Sequence, residues 1–104
     1  YFTKDNKGLG VYHAGEVPYV YGNLYRVPSA YNESDYKLQD IFTSYVVNFC
    51  KTGNPNGEGL PAWEEYKNSP GMVQEMGETV APTEDPFMDL YSILNRQQDR
   101  TLTK

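Results

Sequence analysis

Ser34-Asp35-Tyr36-Lys37-Leu38-Gln39-Asp40-Ile41-Phe42-Thr43-Ser44-Tyr45-Val46-Val47-Asn48-Phe49-Cys50-Lys51 is the stretch of this chain with the clearest period. Leu38, Ile41, Phe42, Tyr45, Val46 and Phe49 recur at i, i+3, i+4, i+7, i+8 and i+11, which places all six on one side of an α-helix. The spacing predicts a helix from about 35 to 51. Ser34 is the expected N-cap, and Asp35 puts negative charge at the positive end of the helix dipole. At the far end Lys51 occupies the last turn, Gly53 suits the left-handed position that closes a helix, and Pro55 bars continuation. Cys50 is read as part of the apolar face, a small buried hydrophobe.

Outward from this helix the chain is less regular. Tyr1-Phe2-Thr3 reads as the tail of a strand, followed by the polar turn Lys4-Asp5-Asn6-Lys7-Gly8. Residues 8–28 are rich in Gly, Pro and aromatics without a sustained period, so they read as a structured loop with at most one helical turn. After the helix comes a turn-dense connection, Asn54-Pro55-Asn56-Gly57-Glu58-Gly59, then an apolar anchor, Leu60-Pro61-Ala62-Trp63. Met72-Val73-Gln74-Glu75-Met76 and Glu78-Thr79-Val80-Ala81 flank Gly77 and predict a small hairpin. A second helix is expected from 86 to about 98, capped by Asp85, with Pro86 in its first turn and a stripe of Phe87, Leu90, Tyr91 and Leu94. The polar tail 99–104 is expected to fray.

Composition narrows the function classes. Fourteen acidic against nine basic residues give a net charge of −5, and no Lys/Arg run exists to track phosphates, which argues against nucleic acid as a partner. No apolar stretch approaches the roughly 20 residues that span a bilayer, so no transmembrane segment is expected. One cysteine and one histidine make neither an internal disulfide nor a zinc set. The Asn32-Glu33-Ser34 sequon is near chance in an Asn-rich chain. The hydrophobic share is 38 %, below the roughly 45–50 % usual for a globular domain. Aromatics nevertheless make up 14 %, too many for a disordered tail. A 104-residue chain that is polar yet ring-rich, and that opens on Tyr1, is expected to be a piece of something longer whose packing surface lies partly elsewhere.

The single histidine lies in Gly10-Val11-Tyr12-His13-Ala14-Gly15-Glu16-Val17-Pro18-Tyr19-Val20-Tyr21-Gly22. A lone histidine in a Gly-rich loop is more often structural or solvated than catalytic. Here it follows an expected strand end, with small residues after it that leave room for a substrate or nucleophile. General-base chemistry needs a histidine that is reachable, oriented and near its reference pKa of about 6.5. On these residues alone both readings stand.

The stretch from His13 through Pro18-Tyr19-Val20-Tyr21-Gly22-Asn23-Leu24 resembles the catalytic-histidine segment of type-B carboxylesterases, the esterase/lipase branch that includes para-nitrobenzyl esterases and cholinesterases. A second motif follows in the matching order. Tyr45-Val46-Val47-Asn48-Phe49-Cys50-Lys51-Thr52-Gly53-Asn54-Pro55-Asn56-Gly57, then Leu60-Pro61-Ala62-Trp63, is similar to that family's Asn-Phe-Ala-Lys-Thr-Gly-Asp-Pro-Asn-Gly helix end and the Trp-Pro after it. The resemblance covers residues 1 to about 66 and fades toward the C-terminus. Cys50 stands where the family usually has Ala, Asn54 replaces Asp, and Glu64 follows the Trp where Pro is common.

The resemblance implies an α/β class: the C-terminal part of a single α/β-hydrolase domain, comprising the end of a core strand, the catalytic-His loop, a long helix, a short hairpin and a terminal helix. It implies that His13 is the base of a Ser–His–Asp/Glu triad. In such folds the triad runs Ser, acid, His along the chain, so the serine and acid are expected upstream of residue 1. No Gly-x-Ser-x-Gly elbow occurs in the sequence, and Ser29, Ser34, Ser44, Ser69 and Ser92 all lack that turn. Glu16, three residues after His13, is read as a loop anchor or a member of a water network rather than the triad acid, because the carboxylate that orients such a histidine normally comes from another loop. One of the rings in Val17-Pro18-Tyr19-Val20-Tyr21 is a weaker candidate for lining a substrate pocket than for packing. The expected partners are the remainder of the parent chain and a small-molecule ester, with no cofactor and no metal. Two alternatives stay open: a non-catalytic relative that keeps the fold for adhesion or scaffolding, and a free-standing acidic binding module.

Overall fold

The computed structural model describes residues 11–103. The expected strand end at Tyr1-Phe2-Thr3 and the turn at 4–8 lie outside the described residues. Three helices and a two-stranded sheet follow one another along the chain: α1 (Val17–Val20), α2 (Glu33–Thr52), β1 (Met72–Met76), β2 (Val80–Glu84) and α3 (Met88–Leu102).

The segment before α2 holds more helix than the single turn expected. Besides α1 it forms 3₁₀ turns at Leu24–Arg26 and Pro28–Ala30. Pro18 and Pro28 each stand at the start of a turn, where a fixed φ near −65° favours helical entry and the missing N–H has no intrahelical partner to lose.

Helix α2 is the expected long helix, extended by two residues at its start and one at its end. Its cap is Asn32 rather than Ser34. The Asp35 N–H donates to Asn32 Oδ1 at 3.2 Å, and the Asn32 N–H donates to Asp35 Oδ2 at 2.7 Å. This reciprocal capping box satisfies two helix-end donors at once, an arrangement that Ser34, inside the first turn, cannot make. The C-terminus closes as expected: Gly53 adopts φ +75°, and its N–H donates to Phe49 O at 2.8 Å.

The hairpin is antiparallel, with Met72 opposite Glu84 and Met76 opposite Val80. Its returning strand lies later than the expected 78–81, because residues 77–79 form the connection. Pro82 lies in β2 opposite Gln74, a position open to a residue without an N–H because a two-stranded ribbon consists only of edges.

The core is small. Tyr19, Leu24 and Leu38 are its buried centre, with Tyr31, Tyr36, Phe42, Met76 and Val80 packed around them. The apolar face of α2 therefore divides. Its first half packs on α1 and the following turns; at its second half Phe49 remains 58 % exposed. Cys50 is exposed, correcting the expectation that it is buried. At about 100° per residue it lies about 120° round the helix from Leu38, beyond the packed arc.

Helix α3 starts at Met88, two residues later than expected, and runs to Leu102, so residues 99–102 of the expected frayed tail are helical. Asp85 does not cap it. Its Oδ1 accepts from the Phe87 N–H at 2.9 Å, closing the turn ahead of the helix. The stripe of Phe87, Leu90, Tyr91 and Leu94 is exposed throughout, although the Phe87 and Tyr91 rings meet at a tilt of 52°, centroids 6.4 Å apart. No helix among the described residues is long and apolar enough to cross a membrane.

Candidate active site

His13 sits in the turn that leads into α1. The Gly15 N–H donates to Tyr12 O at 3.1 Å, Val17 N–H to Ala14 O at 3.2 Å, and Tyr19 N–H to Glu16 O at 3.0 Å. These bonds join the histidine turn to the helix without a gap. Between His13 and Gly15, Ala14 takes φ +62°, a left-handed conformation that costs a residue with a Cβ roughly 1–2 kcal/mol. Space at Gly15 is tight: a Cβ there would lie 3.1 Å from Tyr12 O, and the chain would have to give by a few tenths of an ångström to admit it. Strain of this kind persists only where the surroundings enforce it, and it concentrates at functional sites.

The imidazole of His13 is exposed, and so is Glu16. Among the described residues no hydrogen bond or ion pair joins the two. The ring burial expected in the following segment is carried by Tyr19, 4 % exposed, while Tyr21 is 72 % exposed. Tyr19 also packs edge-on against Tyr31, with centroids 5.9 Å apart. Burial raises the Tyr31 phenol pKa, and the nearby Tyr12, Asp35 and Tyr36 add to the rise.

What holds α1 and the 3₁₀ turn after it is a row of side chains on α2. Asp35 Oδ1 accepts from the Tyr19 hydroxyl at 2.8 Å. Gln39 Oε1 accepts from the Leu24 N–H at 3.1 Å. Thr43 Oγ1 donates to Tyr19 O at 2.9 Å. Spaced i, i+4, i+8, such polar residues look in sequence like a solvated face. Only their contacts with residues 15 to 24 positions upstream give them a function.

The second motif of the sequence is a structural lock. Asn48 Nδ2 donates to Pro55 O at 3.2 Å. Asn56 clasps Trp63 with both ends of its amide: Nδ2 donates to Trp63 O at 2.8 Å, and Oδ1 accepts from the Trp63 N–H at 2.7 Å. Asn54 Oδ1 accepts from the Asn56 N–H at 2.9 Å, which a carboxylate oxygen would do equally well. Trp63 then packs edge-on against Tyr45, centroids 5.2 Å apart. Beside this lock runs a groove of about 840 Å³ whose apolar lining includes Phe42, Val46, Phe49, Leu60, Ala62 and Trp63. His13 does not line it, so the groove and the histidine are separate features.

Two serines commit their hydroxyls to helix carbonyls, Ser44 to Asp40 O at 2.7 Å and Ser92 to Asp89 O at 2.8 Å. Among the described residues no group of three or more His, Cys, Asp or Glu side chains could hold a metal ion. The arrangement presents an exposed imidazole on a turn that runs directly into α1.

The model of the Carboxylesterase family matches residues 2–93. Liver carboxylesterase 1 of Mus musculus is 39 % identical over 62 residues, covering 60 % of this chain and 11 % of that protein. Fatty acyl-CoA hydrolase precursor, medium chain, of Anas platyrhynchos is 41 % identical over 54 residues, 52 % of this chain and 10 % of that one. Bile salt-activated lipase of Homo sapiens is 35 % identical over 63 residues, 58 % of this chain and 8 % of that one. The chain thus spans about a tenth of the length of the curated relatives it matches.

Proposed function

Because the chain belongs to the carboxylesterase family, which implies an α/β-hydrolase fold, we propose that it supplies His13 as the general base of a carboxylic-ester hydrolase. The serine and acid of the triad are carried by parts of the parent protein outside residues 1–104. The observation that carries this reading is the position of the one histidine: exposed at the head of its motif, on a turn that runs into α1, which α2 holds. The absence of a nucleophile elbow from the sequence and the small share of each relative that is matched support the assignment of the other two members elsewhere.

In that role His13 takes the serine proton as the hydroxyl oxygen adds to the ester carbonyl. It returns the proton to the departing alcohol oxygen as the carbon–oxygen bond breaks, leaving an acyl-enzyme. Water, deprotonated by the same imidazole, adds to the acyl carbonyl, and the serine leaves with the proton as the acid is released. No cofactor enters this sequence of steps. Glu16, exposed and unbonded to His13, fits a loop or water-network role and not the triad acid. The open apolar surfaces, the groove beside α2 and the stripe of α3, are read as faces that the remainder of the parent chain covers.

The test is His13→Ala in the full-length protein, assayed on a chromogenic ester. Loss of the base is expected to lower kcat by about 10⁶ with the fold intact, as removal of a triad base does. Residues 1–104 alone are expected to be inactive. Wild-type turnover by His13→Ala refutes the assignment, whereas no turnover by the unaltered full-length protein favours a non-catalytic use of the fold.

A further inference from the structure

We propose that the row Asp35, Gln39 and Thr43 on α2 is a positioning device for His13, fixed by the hydrogen bond from the Tyr19 hydroxyl to the Asp35 carboxylate. The proposal rests on the reading of His13 as the base.

The central observation is a carboxylate that packing alone does not require. Asp35 is 1 % exposed. A buried carboxylate is costly unless its oxygens are hydrogen-bonded, and here both are: Oδ1 by the Tyr19 hydroxyl at 2.8 Å and Oδ2 by the Asn32 N–H at 2.7 Å. Filling the volume under α1 calls for a ring and an apolar neighbour, which a phenylalanine over an aliphatic residue would supply without any charge to bury. What the hydrogen-bonded pair adds is direction. A bond of this kind is short and orientation-dependent, so it fixes where the Tyr19 ring points as well as how deep it sits.

The same tyrosine is held at its other end. Thr43 Oγ1, two helical turns beyond Asp35, donates to the Tyr19 carbonyl at 2.9 Å, with Val20 O at 3.4 Å. One turn between them, Gln39 Oε1 takes the Leu24 N–H at 3.1 Å. Phenol, main-chain carbonyl and the following turn are thus gripped by three successive turns of one rigid helix. Gripping Tyr19 at both ends opposes sliding of α1 along α2 and rotation about its own axis. From Tyr19 the constraint passes back through Tyr19 N–H to Glu16 O and Val17 N–H to Ala14 O, reaching the residue next to His13. A general base must lie within about 2.6–3.2 Å, heavy atom to heavy atom, of the group whose proton it takes, and a misplacement of about 1 Å costs on the order of a hundredfold in rate. The row on α2 supplies that tolerance from a distance and touches no reacting atom.

The experiment compares Tyr19→Phe, Thr43→Val and His13→Ala in the full-length protein, reading kcat, KM and melting temperature with a chromogenic ester. Tyr19→Phe keeps the ring and removes only the hydroxyl; it is expected to lower kcat roughly ten- to a hundredfold with KM within about twofold. Thr43→Val is expected to move kcat in the same direction with KM unchanged, and it decides the matter if Tyr19→Phe does not fold. An inactive His13→Ala together with wild-type kcat in both other variants, whatever their melting temperatures, overturns the positioning role and leaves the base assignment standing. Wild-type kcat in His13→Ala overturns both. Equal rises in KM with kcat unchanged also overturn it, because they signal lost substrate binding instead of a displaced base.

Discussion

Tyr45 is the residue whose removal separates hydrogen bonding from packing most cleanly. It is 1 % exposed, its ring meets Trp63 edge-on, and its hydroxyl donates to Pro61 O while accepting a long bond, 3.4 Å, from Gln74 Nε2. Tyr45→Phe keeps the ring and deletes the hydroxyl. One good bond disappears at about 0.5–1.5 kcal/mol net. The Gln74 bond is long, and Pro61 is only half-buried, so water takes over much of what is vacated. The expected loss is about 1–1.5 kcal/mol. Tyr45→Ala adds the emptied ring volume and the lost edge contact, for about 3–5 kcal/mol in all.

The phenol also carries a pH signature. Burial raises its pKa, with the Gln74 hydrogen bond pulling back in part. The folded state therefore holds the proton to higher pH than the unfolded chain, whose tyrosines titrate near 10. The stability linked to Tyr45 is fully present below pH about 10 and is lost as pH rises through the elevated folded value. Amide hydrogen exchange along α2, measured at neutral and alkaline pH on the full-length protein and on Tyr45→Phe, reads both effects. The wild type is expected to lose protection at alkaline pH more steeply than the variant. Equal slopes, or a Tyr45→Phe loss as large as that of Tyr45→Ala, refute the reasoning.

Two further substitutions test backbone geometry. At Gly53, φ is +75° and nothing lies within 4 Å of a built Cβ, so Gly53→Ala meets no clash and its expected cost, about 1 kcal/mol, is left-handed strain alone; an unchanged melting midpoint would show that the helix does not close there. At Ala14, a branched side chain at φ +62° is a conformational outlier, so Ala14→Val is expected to lower the melting temperature, while Ala14→Gly leaves it nearly unchanged because relieved strain offsets the extra freedom of the unfolded chain. If valine is tolerated as well as glycine, the left-handed turn beside His13 does not exist in solution.

How far the sequence foretold the molecule follows from the range of the interactions involved. The period of α2 and its Gly53 stop are written within one helix, and both were legible. Its start was misjudged because two capping residues, Asn32 and Ser34, compete within three positions, and Asp35 three residues after Asn32 decides for the earlier one through the reciprocal bonds. The hairpin was legible from Gly77, but its register was not, because the connection takes three residues where the reading allowed one. Cys50 was misplaced because an apolar neighbour in sequence is not a neighbour on the helix surface. That His13 lies in a loop ahead of α2 was legible, whereas what holds the segment after it was invisible. Asp35, Gln39 and Thr43 find partners far upstream, and no local pattern distinguishes a polar residue facing water from one facing a folded loop.

The grip of α2 on α1 also bears on how the chain acquires its shape. The bonds that hold α1 and the turn after it span 15 to 24 residues, so each closes a short loop. The entropy cost of such closures grows only slowly, by about 0.6 kcal/mol per doubling of length, and folding is fast where contacts are near in sequence. The mount for the imidazole is therefore a local assembly of one long helix and the turns just before it. It can organise ahead of any long-range docking, presenting a preformed turn to whatever it must meet.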